Sequence, residues 1–64
     1  MTPTVKYRPQ DNAAYIRFSS GKVMESEEVS PGVVFDFDEA GHIVGIELLD
    51  AREKLPPELL GEAA

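Results

Sequence analysis

Residues 32–50 read GVVFDFDEAGHIVGIELLD, and this stretch decides the fold. Apolar residues recur at every second position on both sides of an acidic turn that ends at Gly41. A period of two is typical of a strand with one buried face, and a short connection containing glycine is typical of a hairpin. The stretch therefore predicts two antiparallel strands joined by residues 38–41.

The segment before this hairpin predicts a further strand over residues 13–19. Ala14, Ile16 and Phe18 fall on one face of it, and the residues between them are mostly polar. This alternation favours a half-buried antiparallel strand. Residues 20–21, Ser-Gly, predict a tight turn at its end.

Two weaker strands are predicted at the margins of the sheet. Residues 5–7 form a short apolar and basic segment that Pro9 ends, because proline removes a backbone donor. Residues 22–29 alternate poorly, and their three glutamates suit an edge guarded against pairing with other chains. Residues 30–32, Ser-Pro-Gly, predict the turn that leads into the central hairpin.

The chain after the hairpin predicts a short helical segment over residues 51–60. Asp50 followed by Glu53 matches an acidic capping box, which predicts a helix start at Ala51. Pro57 is acceptable as the first residue of a second short turn. Residues 61–64 are expected to fray.

The whole chain is predicted to be a single small domain, residues 1–64, of the α+β class and mostly β. We expect an antiparallel sheet of four to five strands, arranged as hairpins or a meander, with a short C-terminal helix. The apolar positions of the predicted strands form the expected core: Ile16, Phe18, Val33, Phe35, Phe37, Val44, Ile46 and Leu48.

Length and composition restrict the classes of protein that remain. A chain of 64 residues buries only about 60% of its unfolded surface, so small domains usually need an additional source of stability. The absence of cysteine excludes disulfides and thiolate zinc sites, which leaves oligomerisation. The N-terminus lacks the apolar region of a signal peptide, and no apolar run approaches the roughly 20 residues of a membrane span. We therefore expect a cytoplasmic protein without a membrane partner.

The net charge of −6 disfavours binding to phosphate backbones. Lys6, Arg8 and Arg17 are the cations that paired strands would bring together into a small basic patch. An acidic surface more often serves solubility, and attraction to a basic protein is the alternative. The sequence predicts no nucleic-acid partner.

A calcium-loop pattern overlaps the predicted hairpin. Five positions fit the ligand loop of an EF-hand: Asp36, Asp38, Gly41, Ile43 and Glu47. Ala40 and Val44 do not fit, because the first deletes a direct ligand and the second removes the position that usually binds through water. A hairpin explains the same residues as turn and solvent-facing positions, so no metal or cofactor is predicted.

No other catalytic arrangement is visible. His42 is the single histidine and has no second ligand beside it, and the serines lie in no nucleophile motif. The chain is therefore not expected to be an enzyme. The alternative is a small-ligand or divalent-metal-dependent enzyme or binding protein that uses the acidic cluster of Asp36, Asp38 and Glu47.

Three motifs in fixed order carry a resemblance to a known family. They are DNAAYIRF at residues 11–18, E-x-E-E-V-x-x-G-V-x-x-D-F-D at residues 25–38, and GHIVGIELLDA at residues 41–51. Over residues 6–51 the chain resembles the domain of unknown function 2283 family of small prokaryotic proteins. The resemblance implies a compact, mostly β fold; some members have been proposed as antitoxins, and no catalytic residue is transferred.

Surplus apolar residues predict a protein interface. Both faces of the central hairpin carry apolar side chains, and so small a monomer cannot cover both. Candidate interface residues are Val34, Ile43, Leu49, Leu55 and Leu59. We expect a homodimer and a non-catalytic protein-protein interaction module, for which an antitoxin-like inhibitor of a small basic partner is one form.

Overall fold

The computed structural model describes residues 3–61, and these form a five-stranded antiparallel sheet with a short helix near the C-terminus. The strands are β1 (Thr4–Arg8), β2 (Ala13–Arg17), β3 (Glu25–Ser30), β4 (Val33–Phe37) and β5 (Ile43–Leu49). The helix α1 (Ala51–Lys54) is followed by a 3-10 turn (Pro57–Leu60). The predicted fold class is confirmed.

The strand order across the sheet is β1-β2-β5-β4-β3. Strands β2 to β5 form a Greek key, with β1 added at the edge beside β2. The chain bends at Ser20, where a tight turn is predicted, but β2 pairs with β5 and not with β3, so this bend does not join neighbouring strands. Residues 18–24 instead form a connection that passes the β4-β5 hairpin and reaches the opposite edge of the sheet.

The pairing register sorts the strand residues onto two faces. Opposite residues include Tyr7 with Ala14, Ala14 with Leu48, and Leu48 with Val33. Because directly paired residues point to the same side, the sheet has one apolar face. Its members are Val5, Tyr7, Ala14, Ile16, Val33, Phe35, Phe37, Ile43, Ile46 and Leu48.

A β-bulge in β5 changes which side chains belong to this face. Asp36 pairs with Gly45 and Phe37 pairs with Ile43, so Val44 is the extra residue. The bulge brings Ile43 onto the apolar face, whereas strict alternation predicts the other face. Val44 is only 1% exposed and lies against Gly21 of the connection between β2 and β3.

The C-terminal segment packs on the apolar face at the β1 side. Ala14, Ala51 and Leu60 form the buried cluster, and Tyr7 and Leu55 pack against it. The 3-10 turn contacts β1. This cluster is the centre of the hydrophobic core and fixes the position of the C-terminal segment.

The start of α1 is capped by a residue from the β1-β2 turn. The Asn12 carbonyl accepts the Ala51 N–H at 2.9 Å, and the Asn12 side-chain oxygen accepts the Arg52 N–H at 3.0 Å. The predicted capping box is wrong: Asp50 has a φ of 54° and its side chain makes no cap hydrogen bond. The left-handed conformation of Asp50 directs the chain from β5 into the helix. Asn12, and not Asp50, supplies the side-chain acceptor that caps α1.

The predicted core is partly confirmed. Val44 and Leu48 are buried, but Phe18 is 37% exposed because it follows the end of β2, and its assignment to the core is wrong. The other predicted core residues are half-buried: Ile16, Val33, Phe35, Phe37 and Ile46. They lie on the correct face, but in residues 3–61 the layer above that face is incomplete.

The molecule is a slab of 39 × 28 × 16 Å. Its radius of gyration is 12.0 Å, whereas a compact domain of this length has about 11 Å. Folded domains are normally built from two packed layers. Here one layer is a complete sheet and the second is a short C-terminal segment over one side of it. The predicted fraying of residues 61–64 falls mostly on residues 62–64, which lie outside the described residues.

Candidate interaction surface

The uncovered part of the apolar face contains five adjoining side chains, which we call the apolar patch: Ile16, Phe35, Phe37, Ile43 and Ile46. Ile46 lies between Ile16 on one neighbouring strand and Phe35 on the other. Phe37 lies opposite Ile43, which is 41% exposed. The rings of Phe35 and Phe37 meet edge to face, with their centroids 6.4 Å apart. The patch is therefore contiguous, aromatic and accessible to solvent.

The patch remains open because the C-terminal segment is short and sits at the β1 side. Its buried residues meet Ala14 of β2 and its 3-10 turn contacts β1. Each patch residue is half-buried or exposed. Among the described residues, 3–61, no further element is available to cover β4 and the adjoining part of β5.

Two carboxylates border the patch at the β3 edge of the sheet. Glu25 pairs with Phe37 and Glu27 pairs with Phe35, so both glutamates lie on the apolar face. All six residues of β3 are exposed. The patch thus has an acidic rim on the side away from the C-terminal segment.

The opposite, polar face carries a hydrogen-bonded network across four strands. Tyr15 donates its hydroxyl proton to Asp36 at 2.7 Å, and Ser26 donates to the other oxygen of the same carboxylate at 2.6 Å. Tyr15 lies over Gly45, the one position between these strands that has no side chain. Arg17 donates to the Gly21 carbonyl at 2.7 Å and ties the crossing connection to this face.

The network also changes the acidity of the phenol. Desolvation, followed by the hydrogen bond to Asp36, raises the pKa of Tyr15 above 10.0, while Arg17 opposes the shift. The neutral phenol is the form that donates to the carboxylate. The arrangement therefore stabilises a protonated tyrosine and joins β2, β3 and β4 mechanically.

The predicted acidic cluster does not assemble. The Asp36 carboxylate is occupied by Tyr15 and Ser26 on the polar face. Asp38 accepts the backbone N–H groups of Ala40 at 3.0 Å and of His42 at 2.8 Å, so it belongs to the hairpin turn. Within residues 3–61, no group of three or more His, Cys, Asp or Glu side chains could hold a metal ion. Of the three candidate ligands of a divalent-metal site, Asp36 and Asp38 accept hydrogen bonds from the fold itself.

The turn also explains the single histidine. The imidazole of His42 lies 3.5 Å from Asp38 and is 80% exposed. The hydrogen bond from the His42 backbone N–H is the largest cause that lowers the pKa of Asp38 below 3.8. His42 is thus a turn residue whose backbone matters more than its ring.

The three cations expected to meet on paired strands do share the polar face. Lys6 and Arg8 lie on β1, and Arg17 lies opposite Thr4 on β2. Arg8 pairs with Asp11 at 2.9 Å, and Arg17 binds the Gly21 carbonyl. Two of the three cations therefore bind groups within the same chain.

The five candidate interface residues do not form one surface. Ile43 belongs to the apolar patch, whereas Val34 and Leu49 lie on the polar face with Glu47 and Ala13 as their cross-strand neighbours. Two further candidates are in the C-terminal segment: Leu55 packs against the core cluster and Leu59 is 45% exposed. The sequence places Phe35, Phe37 and Ile46 in the core, and the structure leaves them half-buried on an incompletely covered face.

A shallow groove of about 550 Å³ lies between the crossing connection and the hairpin turn, lined by Gly21, Lys22, Met24, Asp38, Glu39 and Ala40. One of its two carboxylates, Asp38, already accepts hydrogen bonds from backbone N–H groups. None of the helices in the described part of the chain is long and apolar enough to span a membrane.

Comparison with known families supports the resemblance carried by the three motifs. The family model described as Protein of unknown function (DUF2283) matches residues 4–52. The chain belongs to this family. No curated protein and no solved structure matches it closely enough to add to that assignment.

The DUF2283 match covers all five strands and the first two residues of α1. Several motif residues have clear structural tasks in this fold. Asn12 caps α1, Tyr15 covers Gly45, and Gly41 takes a φ of 85° in the hairpin turn. The motifs that mark DUF2283 here therefore specify the sheet and its connections.

Proposed function

We propose that this DUF2283 protein is a non-catalytic protein-interaction module that binds another protein chain through the apolar patch. The observation that carries the proposal is the uncovered half of the apolar sheet face. Large contiguous apolar patches are uncommon on soluble monomers and often mark interaction sites. The exposed Ile43 and the half-buried pair of Phe35 and Phe37 supply that surface.

The composition of the patch supports a protein ligand. Aromatic side chains are enriched in the centres of protein interfaces, where they contribute much of the binding energy. The glutamates at positions 25 and 27 border the aromatic pair as a polar rim. An apolar centre beside a charged margin is the usual anatomy of such an interface.

The non-catalytic part of the proposal is supported by how the polar side chains are used. The carboxylates of Asp36 and Asp38 accept hydrogen bonds from the fold itself. The Tyr15 phenol is held protonated by the same network. These groups have structural roles that explain their positions without a reaction.

A narrower form of the proposal is an antitoxin-like inhibitor that occludes a small basic protein. The net charge of −6 supports it, because opposite charge accelerates encounter and suppresses wrong partners. The acidic rim at Glu25 and Glu27 would lie next to the margin of such a partner.

The proposal is tested by placing a photo-crosslinking amino acid at Ile43 and, as a matched control, at Leu49. Both are exposed aliphatic positions on β5, at 41% and 50%, and they lie on opposite faces of the sheet. We expect irradiation of cells that produce the protein to give a discrete protein adduct at position 43 and little at position 49. Equal labelling at both positions, or no protein adduct at position 43, would contradict the proposal.

A further inference from the structure

We infer that the chain that covers the apolar patch is a second copy of this protein, and that the two sheets pack face to face about a two-fold axis parallel to the strands. This inference rests on the proposed function, because it assigns the occupant of the same surface. The occupant follows from the missing half layer and the exposed area, and the axis follows from the acidic rim and the shape of the molecule.

The uncovered half of the sheet face is apolar, so the layer that covers it has to be apolar as well. A small sheet needs a second layer to bury its apolar side, and here the C-terminal segment supplies that layer only over the β1 side. A second copy presents an equivalent flat apolar sheet. A two-fold axis brings the same patch of both copies together, and the assembly closes at two chains. The result is an aligned sandwich with about 10 Å between the sheets.

The exposed area is larger than that of a compact monomer. The chain exposes 4479 Å² for a mass of 7.0 kDa, whereas a compact monomer of that mass exposes about 4,000 Å². The excess of roughly 480 Å² approaches the roughly 600 Å² on each copy at which stable dimer interfaces begin.

The acidic rim selects the direction of the axis. Glu25 and Glu27 lie on the apolar face along the β3 edge. An axis perpendicular to the strands and in the plane of the interface would stack β3 on β3 and oppose four carboxylates. An axis parallel to the strands reverses the strand order, so the two acidic edges lie on opposite sides of the sandwich.

Shape favours the same axis. The C-terminal segment thickens the molecule on its β1 side, and the β3 edge is a bare strand. With the axis parallel to the strands, the thick side of each copy adjoins the thin side of its partner. With the other axis both thick sides coincide and separate the sheets there.

The test is light-scattering mass across a dilution series for the wild type, Ile43→Glu and Leu49→Glu. We expect twice the chain mass of 7.0 kDa for the wild type and for Leu49→Glu. Ile43→Glu should weaken association by more than about tenfold, since an unpaired carboxylate is costly to desolvate. Far-UV circular dichroism establishes that each variant is folded. If Ile43→Glu does not fold, Phe37→Ser is measured in its place, against Val34→Ser on the other face of β4.

The axis has its own measurement. The chain has no cysteine, so Glu27→Cys gives a single attachment site for a spin label. Dipolar spectroscopy should show a label separation well beyond the sheet spacing of about 10 Å. A separation close to that spacing would overturn the parallel axis.

Two results separate this inference from the proposed function. A wild type that stays at 7.0 kDa over the whole series overturns the second copy as occupant, and a different protein crosslinked at position 43 would then leave the proposed function standing. A dimer that Ile43→Glu leaves intact also overturns the inference, because its interface lies elsewhere. A monomer without any adduct at position 43 overturns both.

Discussion

Tyr15 lies across Gly45, and its ring occupies the space that a side chain at position 45 would need. A β-carbon built on Gly45 would stand 2.5 Å from Tyr15 Cζ. In this position the hydroxyl reaches Asp36, two strands away from β2. The bare position in β5 is therefore what allows the cross-strand hydrogen bond.

We expect Gly45→Ala to destabilise the protein by about 1–3 kcal/mol, the usual range for overpacking. Gly45 is not among the residues with positive φ, so alanine is acceptable to the backbone itself. The cost comes from the ring, which has to lift away and give up its hydrogen bond to Asp36. Urea unfolding of the two proteins measures the difference.

The control for this prediction is the same substitution in a Tyr15→Ala background. Without the ring, Gly45→Ala should be neutral or stabilising, because alanine loses less backbone entropy than glycine in a strand. An equal cost in both backgrounds would show that Tyr15 is not the reason for glycine at position 45.

The Tyr15 hydroxyl provides a pH-dependent prediction. Its pKa is raised by desolvation and by the bond to Asp36, so the folded state binds this proton more tightly than the unfolded state does. The resulting stabilisation is fully present at pH values below the tyrosine pKa of the unfolded chain, which is about 10. It is lost as the pH rises through the pKa of Tyr15 in the folded protein. Absorbance titration of a Tyr7→Phe variant, in which Tyr15 is the remaining tyrosine, should give a midpoint above 10.0.

Unfolding experiments test the same linkage independently. The difference in stability between the wild type and Tyr15→Phe should shrink at pH values above the folded pKa of Tyr15. A difference that stays constant through this alkaline range would exclude the phenol as its source.

The strands of the central hairpin could be predicted because alternation directly reports the face of each residue. Alternation does not report which strands are neighbours. Residues 18–24 have the length of an ordinary connection, but they cross to the far edge of the sheet, so β2 pairs with β5. The bulge at Val44 was also invisible, since it depends on how Gly45 and Asp36 pair across strands.

The candidate site was harder to predict than the fold. Sequence alternation places Phe35, Phe37 and Ile46 on one face but cannot tell whether anything covers that face. Only the position of the C-terminal segment over the β1 side shows that it is open. In the same way, a local capping pattern favoured Asp50, while the actual cap, Asn12, comes from 40 positions away.

Asn12 gives a prediction about this long-range cap. It holds the Ala51 and Arg52 N–H groups and has a φ of 49°. Asn12→Ala should cost about 2 kcal/mol, because it removes the side-chain acceptor and places alanine in a left-handed conformation. Thermal and urea unfolding measure this loss.

A graded series separates the two contributions at Asn12. Asn12→Gly keeps the left-handed conformation and loses the hydrogen bonds of the side chain, so it should cost less than Asn12→Ala. Asn12→Asp keeps the acceptor for Arg52 but replaces the amide that donates to Glu53 at 3.4 Å with a second carboxylate, so it should still be less stable than the wild type. If Asn12→Gly and Asn12→Ala are equally destabilising, the backbone conformation makes no contribution.

The β4-β5 turn is predicted to weaken in acid through Asp38. Its pKa is lowered below 3.8, first by the hydrogen bond from the His42 backbone N–H, so the folded state favours the carboxylate. The stabilisation that this provides is present at pH values above the pKa of Asp38 in the unfolded chain. It is lost as the pH falls through the pKa of Asp38 in the folded protein. Asp38→Ala should therefore be less stable than the wild type near neutral pH, and this difference in stability should narrow in acid.

Asp38→Asn is the control, because its amide oxygen still accepts from Ala40 and His42 and does not titrate. The urea unfolding midpoints of the three proteins are measured at neutral and at acidic pH. If Asp38→Ala loses the same stability relative to the wild type at both pH values, the charge of the carboxylate does not stabilise the turn.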